Sequence, residues 1–383
     1  KSRSYILGIL LLFLCCALYR IRHKSYLGIG AALFLLCQTS ALGLLIAMAF
    51  AFSLLLEIVT DRNLLRSGEA DVRQLVAGAA VAGPGVANAV LQLIPPADSG
   101  FATEWYFKWW PAMFLEMLST ARVAFFPLLR DMLFKTQAVP LDGLLGFSLL
   151  AALPFLIGRR LFALAFYGTA TAALLAFFYV KLLGHVWHHG HLYYIFIAGL
   201  WISSQLTREK GRSNSGGAGG MPRWAVAATA MLMVFQGVTG LRAHGRDWKH
   251  PYSAGEAAAQ YLREQGLDKL PIVADSDLFT VTVVGYLDRE VYYPRARRYG
   301  TYYILNRERE RPFVPENVIE AAQNLARAKK EDVIVLLNYD LVPAGDIPLG
   351  EVLPPNMKKI AEFTDSLWED ERFYIYRVTP AGP

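Results

Sequence analysis

Cysteine is scarce and poorly placed for cross-linking. The 383 residues hold three, Cys15, Cys16 and Cys37, all inside apolar runs, so there is no disulfide framework and no CxxC metal motif. Charge is thin as well: 18% of residues are Asp, Glu, Lys or Arg, against 54% hydrophobic. Mean hydropathy is +0.31. A disordered chain is excluded, and an ordinary soluble domain is a poor fit. No small-residue cleavage pattern precedes Arg20, so Ser4 to Tyr19 reads as a true span rather than a signal peptide. The first residue is Lys1 rather than Met, which predicts a fragment or a processed chain. Lys and Arg number 38 against 32 Asp and Glu, a net charge of +6. That excess need not mean nucleic acid, because cationic loops flank membrane spans.

Apolar stretches run from Ser4 to Tyr19, Ser25 to Phe52, Gln74 to Pro96, Gly143 to Gly158, Leu161 to Val180, Leu192 to Leu206 and Trp224 to Leu241. The second continues past Glu57 to Val59 and is too long for one span. A turn near Gln38, Thr39 and Ser40 splits it, which predicts about eight crossings of a bilayer that needs about 20 residues each. Pro84, between Gly83 and Gly85, is expected to interrupt one of them. Alternate connections carry Arg20, Arg22 and Lys24; Arg62, Arg66 and Arg73; Arg159 and Arg160; and Arg208, Lys210, Arg212 and Arg223. Taken as cytoplasmic, they leave a long loop at 97–141 and the histidine-rich link near His185 on the outside. Arg242, Arg246 and Lys249 argue mildly the other way. Ser213 to Gly220 is a flexible linker between two spans, not a domain boundary.

The predicted fold is an α-helical polytopic membrane domain over 1–244 and a small α/β extracytoplasmic domain over 245–383. In the second, Ser253 and Glu256 read as a capping box for a helix ending at Gly266. Strands are expected at Pro271 to Ala274, Val291 to Tyr293, Tyr302 to Leu305, Val333 to Leu337, Ile360 to Phe363 and Phe373 to Val378. Helices are expected over Phe279 to Leu287 and from Pro315 to about Lys329. Asp275-Ser276-Asp277 follows a strand and reads first as a strand-end turn with a helix N-cap. An acidic pair there could also hold a divalent metal on a nucleotide sugar, but no Gly-rich phosphate cradle accompanies it. Arg295, Arg297, Arg298 and Arg307 to Arg311, interleaved with Tyr292, Tyr293, Tyr299, Tyr302 and Tyr303, suit an anionic lipid, a glycan or nucleic acid, or a solvated rim at the membrane surface. An extracytoplasmic position argues against nucleic acid.

Two outward connections carry the chemistry. His185, His188, His189 and His191 fall within seven positions, which is costly near a bilayer unless they face water, a phosphate or a metal. Zinc is one option, though a metal site usually recruits a carboxylate and none lies locally. Phosphate contact, with Lys181 adding charge, is at least as good a reading, and so is a water-exposed interfacial cluster. The long loop sets Asp98, Glu104, Lys108, Glu116, Arg122, Arg130, Asp131 and Lys135 among Trp105, Tyr106, Trp109 and Trp110. That mixture suits a helix lying in the headgroup layer or a lid over a lipid-linked substrate. Glu104 and Asp98 are the carboxylates best placed for general-base work. Lys181, Arg122 and Lys108 are candidate phosphate-contacting cations.

The polytopic core, the His188-His189-Gly190 outer turn and the trailing α/β domain resemble the polyprenyl-phosphate-sugar-dependent membrane glycosyltransferases of the GT-C class. That group contains bacterial protein mannosyltransferase and aminoarabinose transferase relatives. Val273-Ala274-Asp275, Gly285-Tyr286-Leu287-Asp288 and Val291-Tyr292-Tyr293-Pro294 look like the tail of mannosyltransferase-like bacterial membrane proteins. The resemblance implies sugar transfer from a polyprenyl-phosphate carrier to a glycan, lipid or protein acceptor, in a bacterial plasma membrane, with no nucleic-acid partner and no cofactor beyond an optional divalent metal. The class usually carries its catalytic acidic residue in the first outer loop. No acidic loop precedes Arg20 here, so the resemblance implies that the base lies upstream of Lys1 or that the protein is not a transferase. The alternative is a lipid or solute transporter, or an envelope assembly factor, with an outer binding domain; no convincing internal repeat supports transport.

Overall fold

The computed structural model describes residues 3–60, 71–100, 104–127, 139–213, 222–275, 277–302, 315–341 and 353–380. Arg62, Arg66, Arg130, Asp131, Lys135, the linker after Ser213, Tyr303 and the arginines at 307–311 lie outside the described residues. The chain forms two compact units, residues 1–95 with 103–240, and residues 96–102 with 241–383.

The first unit is helical: α1 Arg3–Tyr19, α2 Tyr26–Cys37, α3 Ala41–Thr60, α4 Val72–Leu93, α5 Pro111–Phe125, α6 Val139–Ile157, α7 Leu161–Val180, α8 Val186–Ser213 and α9 Arg223–Lys249, whose last residues belong to the second unit. Among the described residues, five helices are long and apolar enough to cross a membrane: Ala41–Thr60, Val72–Leu93, Pro140–Ile157, Leu161–Val180 and Arg223–Lys249. This is an integral membrane protein. The count falls short of eight because α1 and α2 are apolar but short. At 1.5 Å per residue, the 12 residues of α2 reach only about 18 Å. In α8 the apolar stretch is flanked by histidines and a charged tail.

Side-chain contacts sort the helix ends into two groups. At one end, Tyr5 of α1 meets His188 at the start of α8, and Tyr179 of α7 meets Trp110 before α5. At the other, Tyr19 stacks on Phe162, Ser203 bonds the carbonyl of Ile157, and Gln205 bonds that of Cys16. Arg22 and Tyr19 both engage the Glu57 carboxylate there, at 3.0 and 2.9 Å.

Two expectations are corrected. α4 runs unbroken through Pro84, whose missing N–H removes the helical donor to the Ala80 carbonyl one turn earlier. Beyond it, Gln38 Nε2 donates to the Gly85 carbonyl at 2.9 Å and ties α4 to the end of α2. The second correction is α5, which is no surface helix: Met117, Leu118, Ala121, Arg122, Ala124 and Phe125 are buried. It runs alongside α6 in the same direction, with the backbone at Leu115 and Leu118 seated against Gly143 and Gly146. Its last carbonyls, Ala124 and Phe125, accept from Gln236 Nε2 of α9 at 2.9 and 2.8 Å. A helix that stops inside a bundle needs such donors.

The second unit is α/β. Its sheet has the order β3-β2-β1-β4-β6-β5, with β1 Ile272–Ala274, β2 Val291–Tyr293, β3 Arg298–Gly300, β4 Val333–Leu337, β5 Met357–Phe363 and β6 Phe373–Val378. β1 is parallel to β2 and β4, and the remaining pairs are antiparallel. Helices α10 Gly255–Glu264, α11 Asp277–Leu287 and α12 Pro315–Lys329 accompany it. The strand at Arg298–Gly300 is not among those expected from the sequence; of the strand expected at Tyr302 to Leu305, residues 303–305 lie outside the described residues. Ser253 is not the residue capping α10 in a box with Glu256. Its hydroxyl accepts from the Gly255 N–H and donates to Glu371, a buried carboxylate that Thr282 also serves.

Tyr376 locks the β4 end of this sheet. Its hydroxyl donates to Asp340 at 2.5 Å and accepts from the Leu341 N–H at 2.8 Å. Burial, followed by the bond to Asp340, pushes its pKa up, so it stays protonated. Tyr376→Phe is expected to cost about 2 kcal/mol, because the half-buried Asp340 carboxylate and the Leu341 amide each lose a partner. Chemical denaturation followed by the tryptophans of this unit would read the loss, and an unchanged midpoint would refute it.

Candidate functional site

The end of the bundle where Tyr5 meets α8 gathers most of the predicted site residues. The segment after residue 103 runs across the end of α7: the Tyr106 N–H donates to the Val180 carbonyl at 2.7 Å, and the Lys181 ammonium donates to the Glu104 carbonyl at 3.1 Å. Lys181 also lies 5.4 Å from the Trp105 ring, within cation–π range. The Tyr179 hydroxyl donates to the Lys108 carbonyl and accepts from the Trp110 N–H, both at 2.8 Å. Glu104 and Lys108 take part through their backbones here, and both residues are exposed. Trp105, Tyr106, Phe107, Trp109 and Trp110 are all more than half exposed, an aromatic ledge of the kind found at membrane surfaces.

The four imidazoles differ in what they can do. The His185 N–H donates to His188 Nδ1 at 2.8 Å. A backbone N–H can only donate, so Nδ1 is bare and the ring proton sits on Nε2, which meets the Tyr5 hydroxyl at 2.9 Å. His188 is thereby fixed as a neutral ring. His189 and His191 are buried and spend a ring nitrogen on the carbonyls of Leu183 and His188, at 2.8 and 3.0 Å. His185 is exposed, its ring 4.6 Å from that of Trp187. Gly184, with φ of 80°, makes the turn from Lys181 into α8 in a region glycine enters readily. Among the described residues no three His, Cys, Asp or Glu side chains come together as a metal site.

Arg122 lies within the bundle rather than on the loop surface. It pairs with Asp142 at 3.1 Å, the two side chains 3% and 15% exposed. Phe125, three residues on, packs against Tyr193 of α8. Asp98 is exposed and belongs to the other unit. Sequence reasoning missed Tyr5, Asp142 and Gln236. A carboxylate at the head of an apolar run was the available signal for Asp142.

No family model, no curated protein and no solved structure matches this chain. The functional reading therefore rests on the residues themselves: an ammonium, an exposed imidazole and a carboxylate-bearing residue beside a row of exposed aromatic rings. Such a set can hold an anionic headgroup while its lipid tail lies along the rings.

In the second unit the Asp275 carboxylate is buried and held bidentately by Arg295. A guanidinium already occupies the carboxylate that the acidic-pair reading assigned to a metal.

Proposed function

We propose that this protein is a membrane glycosyltransferase that moves a sugar from a polyprenyl-phosphate carrier to an extracytoplasmic acceptor. One observation carries the reading: Lys181 meets the Glu104 carbonyl at 3.1 Å and the Trp105 ring at 5.4 Å, at the same end of the helical unit as His185. Arg20, Lys24, Arg159 and Arg160 belong to the connections at the opposite end, which supports a cytoplasmic side there and a plasma-membrane location.

In this mechanism the prenyl chain lies along the aromatic ledge and the carrier phosphate sits at Lys181 and His185. Glu104 takes the proton of the acceptor hydroxyl as the oxygen attacks the anomeric carbon. The bond from that carbon to the phosphate oxygen breaks, and the departing polyprenyl phosphate gains negative charge. A fixed ammonium beside it stabilises the transition state more than the ground state. Tyr5 and His188 hold the turn that presents His185.

The purified chain in lipid nanodiscs, given a radiolabelled polyprenyl-phosphate hexose, tests the proposal. Glu104→Gln is expected to lower turnover by about 100-fold or more, the usual weight of a general base, with carrier binding retained. Lys181→Ala is expected to weaken carrier binding about tenfold, the loss of about 1.4 kcal/mol. Absence of carrier binding, or parental turnover and binding in both variants, overturns the reading.

A further inference from the structure

The sheet unit holds a cavity of its own. α12 packs Val318, Ala322 and Ala326 over Val273, Val333 and Val335 of β1 and β4. Beside that contact a cavity of about 700 Å³ opens between α12 and the β2–β3 hairpin, a size that suits a small ligand. It lies off the carboxyl ends of the parallel strands, where ligands of α/β sheets bind. Three walls can be named. Tyr292 and Tyr299, cross-strand partners, give a ring surface with centroids 5.2 Å apart. Asn317, Glu320 and Asn324 line the α12 side, three to four residues apart and so on one helical face. Arg295 and Arg297 line it from the turn after β2.

The two arginines are built in differently. Arg295 is clamped by buried Asp275 through two bonds of 2.7 Å, so its guanidinium is oriented before any ligand arrives. Arg297 is exposed and has φ of 50°, a left-handed conformation that an arginine adopts at a cost and that is concentrated at ligand sites. A diphosphate fits poorly. From Pro271 to Val284 there is no glycine, and β1 ends on a carboxylate where a phosphate-binding turn would offer amides. Hydroxyl-rich rings fit better: tyrosine faces meet C–H groups, while asparagine offers a donor and an acceptor together.

We propose that this cavity binds a saccharide bearing one negatively charged group, a carboxylate or a phosphate, with the ring on Tyr292 and Tyr299, hydroxyls on Asn317, Glu320 and Asn324, and the anionic group on Arg297 beside the clamped Arg295. The proposal does not depend on glycosyl transfer, and its test reads binding alone. Calorimetric titration of the full chain in detergent would use glucuronic acid, glucose 6-phosphate and glucose. At least one charged sugar should bind saturably and at least tenfold more tightly than glucose. Preference for glucuronic acid assigns a carboxylate, and preference for glucose 6-phosphate a phosphate. Arg297→Gly should lose that tenfold preference; since glycine suits the positive φ, the variant should melt no lower than the parent. Tyr299→Ala should weaken the charged and neutral sugars alike. Failure of both charged sugars to bind, or unchanged affinities in both variants, overturns the proposal.

Discussion

Asp142→Ala should unfold the helical unit more readily by about 3 kcal/mol or more, because it breaks a buried ion pair by removing the carboxylate beside the Arg122 guanidinium. The two side chains are 3% and 15% exposed and lie 3.1 Å apart, so the pair is little screened by water. Arg122→Ala should cost a similar amount from the other side, and it also removes a donor to the Phe126 carbonyl at the end of α5. The double variant Arg122→Leu with Asp142→Leu should recover most of the loss, since it buries neither charge and pays no desolvation. Unfolding midpoints of the four proteins in one detergent form a double-mutant cycle. Additive losses, or single variants as stable as the parent, would refute the buried pair. The stable double variant also separates two roles of Arg122. If it transfers sugar at the parental rate, Arg122 only holds α5 to α6.

That pair marks where sequence reasoning stopped. The apolar runs announced their helices, because a segment without charge has nowhere else to go, and the polar Gln38-Thr39-Ser40 step separates α2 from α3. Val333–Leu337, apolar throughout, is a strand buried at every position. What the sequence could not carry was partnership between distant residues. Arg122 and Asp142 stand on different helices, α5 and α6, and each alone reads as a surface charge. α5 therefore looked like an interfacial helix, though glycines at 143 and 146 draw it into the bundle. The four histidines are equivalent on paper. They part company only because α8 begins at Val186, turning His189 and His191 inward onto carbonyls and leaving His185 on the rim. The same holds for Asp275, whose neighbour Asp277 suggested a metal, while its actual partner stands 20 residues on at Arg295.

Gly146→Leu should be the most damaging single change in the helical unit. A Cβ at Gly146 would sit 1.9 Å from the Leu118 carbonyl oxygen, a backbone atom that no rotamer change can move. α5 and α6 would have to separate, exposing the Arg122–Asp142 pair and pulling the α5 terminus from Gln236. The same logic applies where α2 meets α4: a Cβ at Gly30 falls 2.3 Å from the Gly78 carbonyl, and one at Gly78 falls 2.3 Å from that of Tyr26. Small residues at such crossings let helix backbones touch where no hydrophobic driving force holds them together. Even Gly146→Ala should cost about 3 kcal/mol, the upper range for overpacking, and Gly146→Leu should yield little folded protein. Gly168 supplies the control. It sits within α7 with nothing inside 4 Å of its would-be Cβ, so Gly168→Ala should gain about 0.5–1 kcal/mol from helix propensity. Opposite signs at Gly146 and Gly168 in one denaturation series are the expected result. A stabilising Gly146→Ala would mean that α5 and α6 do not pack backbone to backbone.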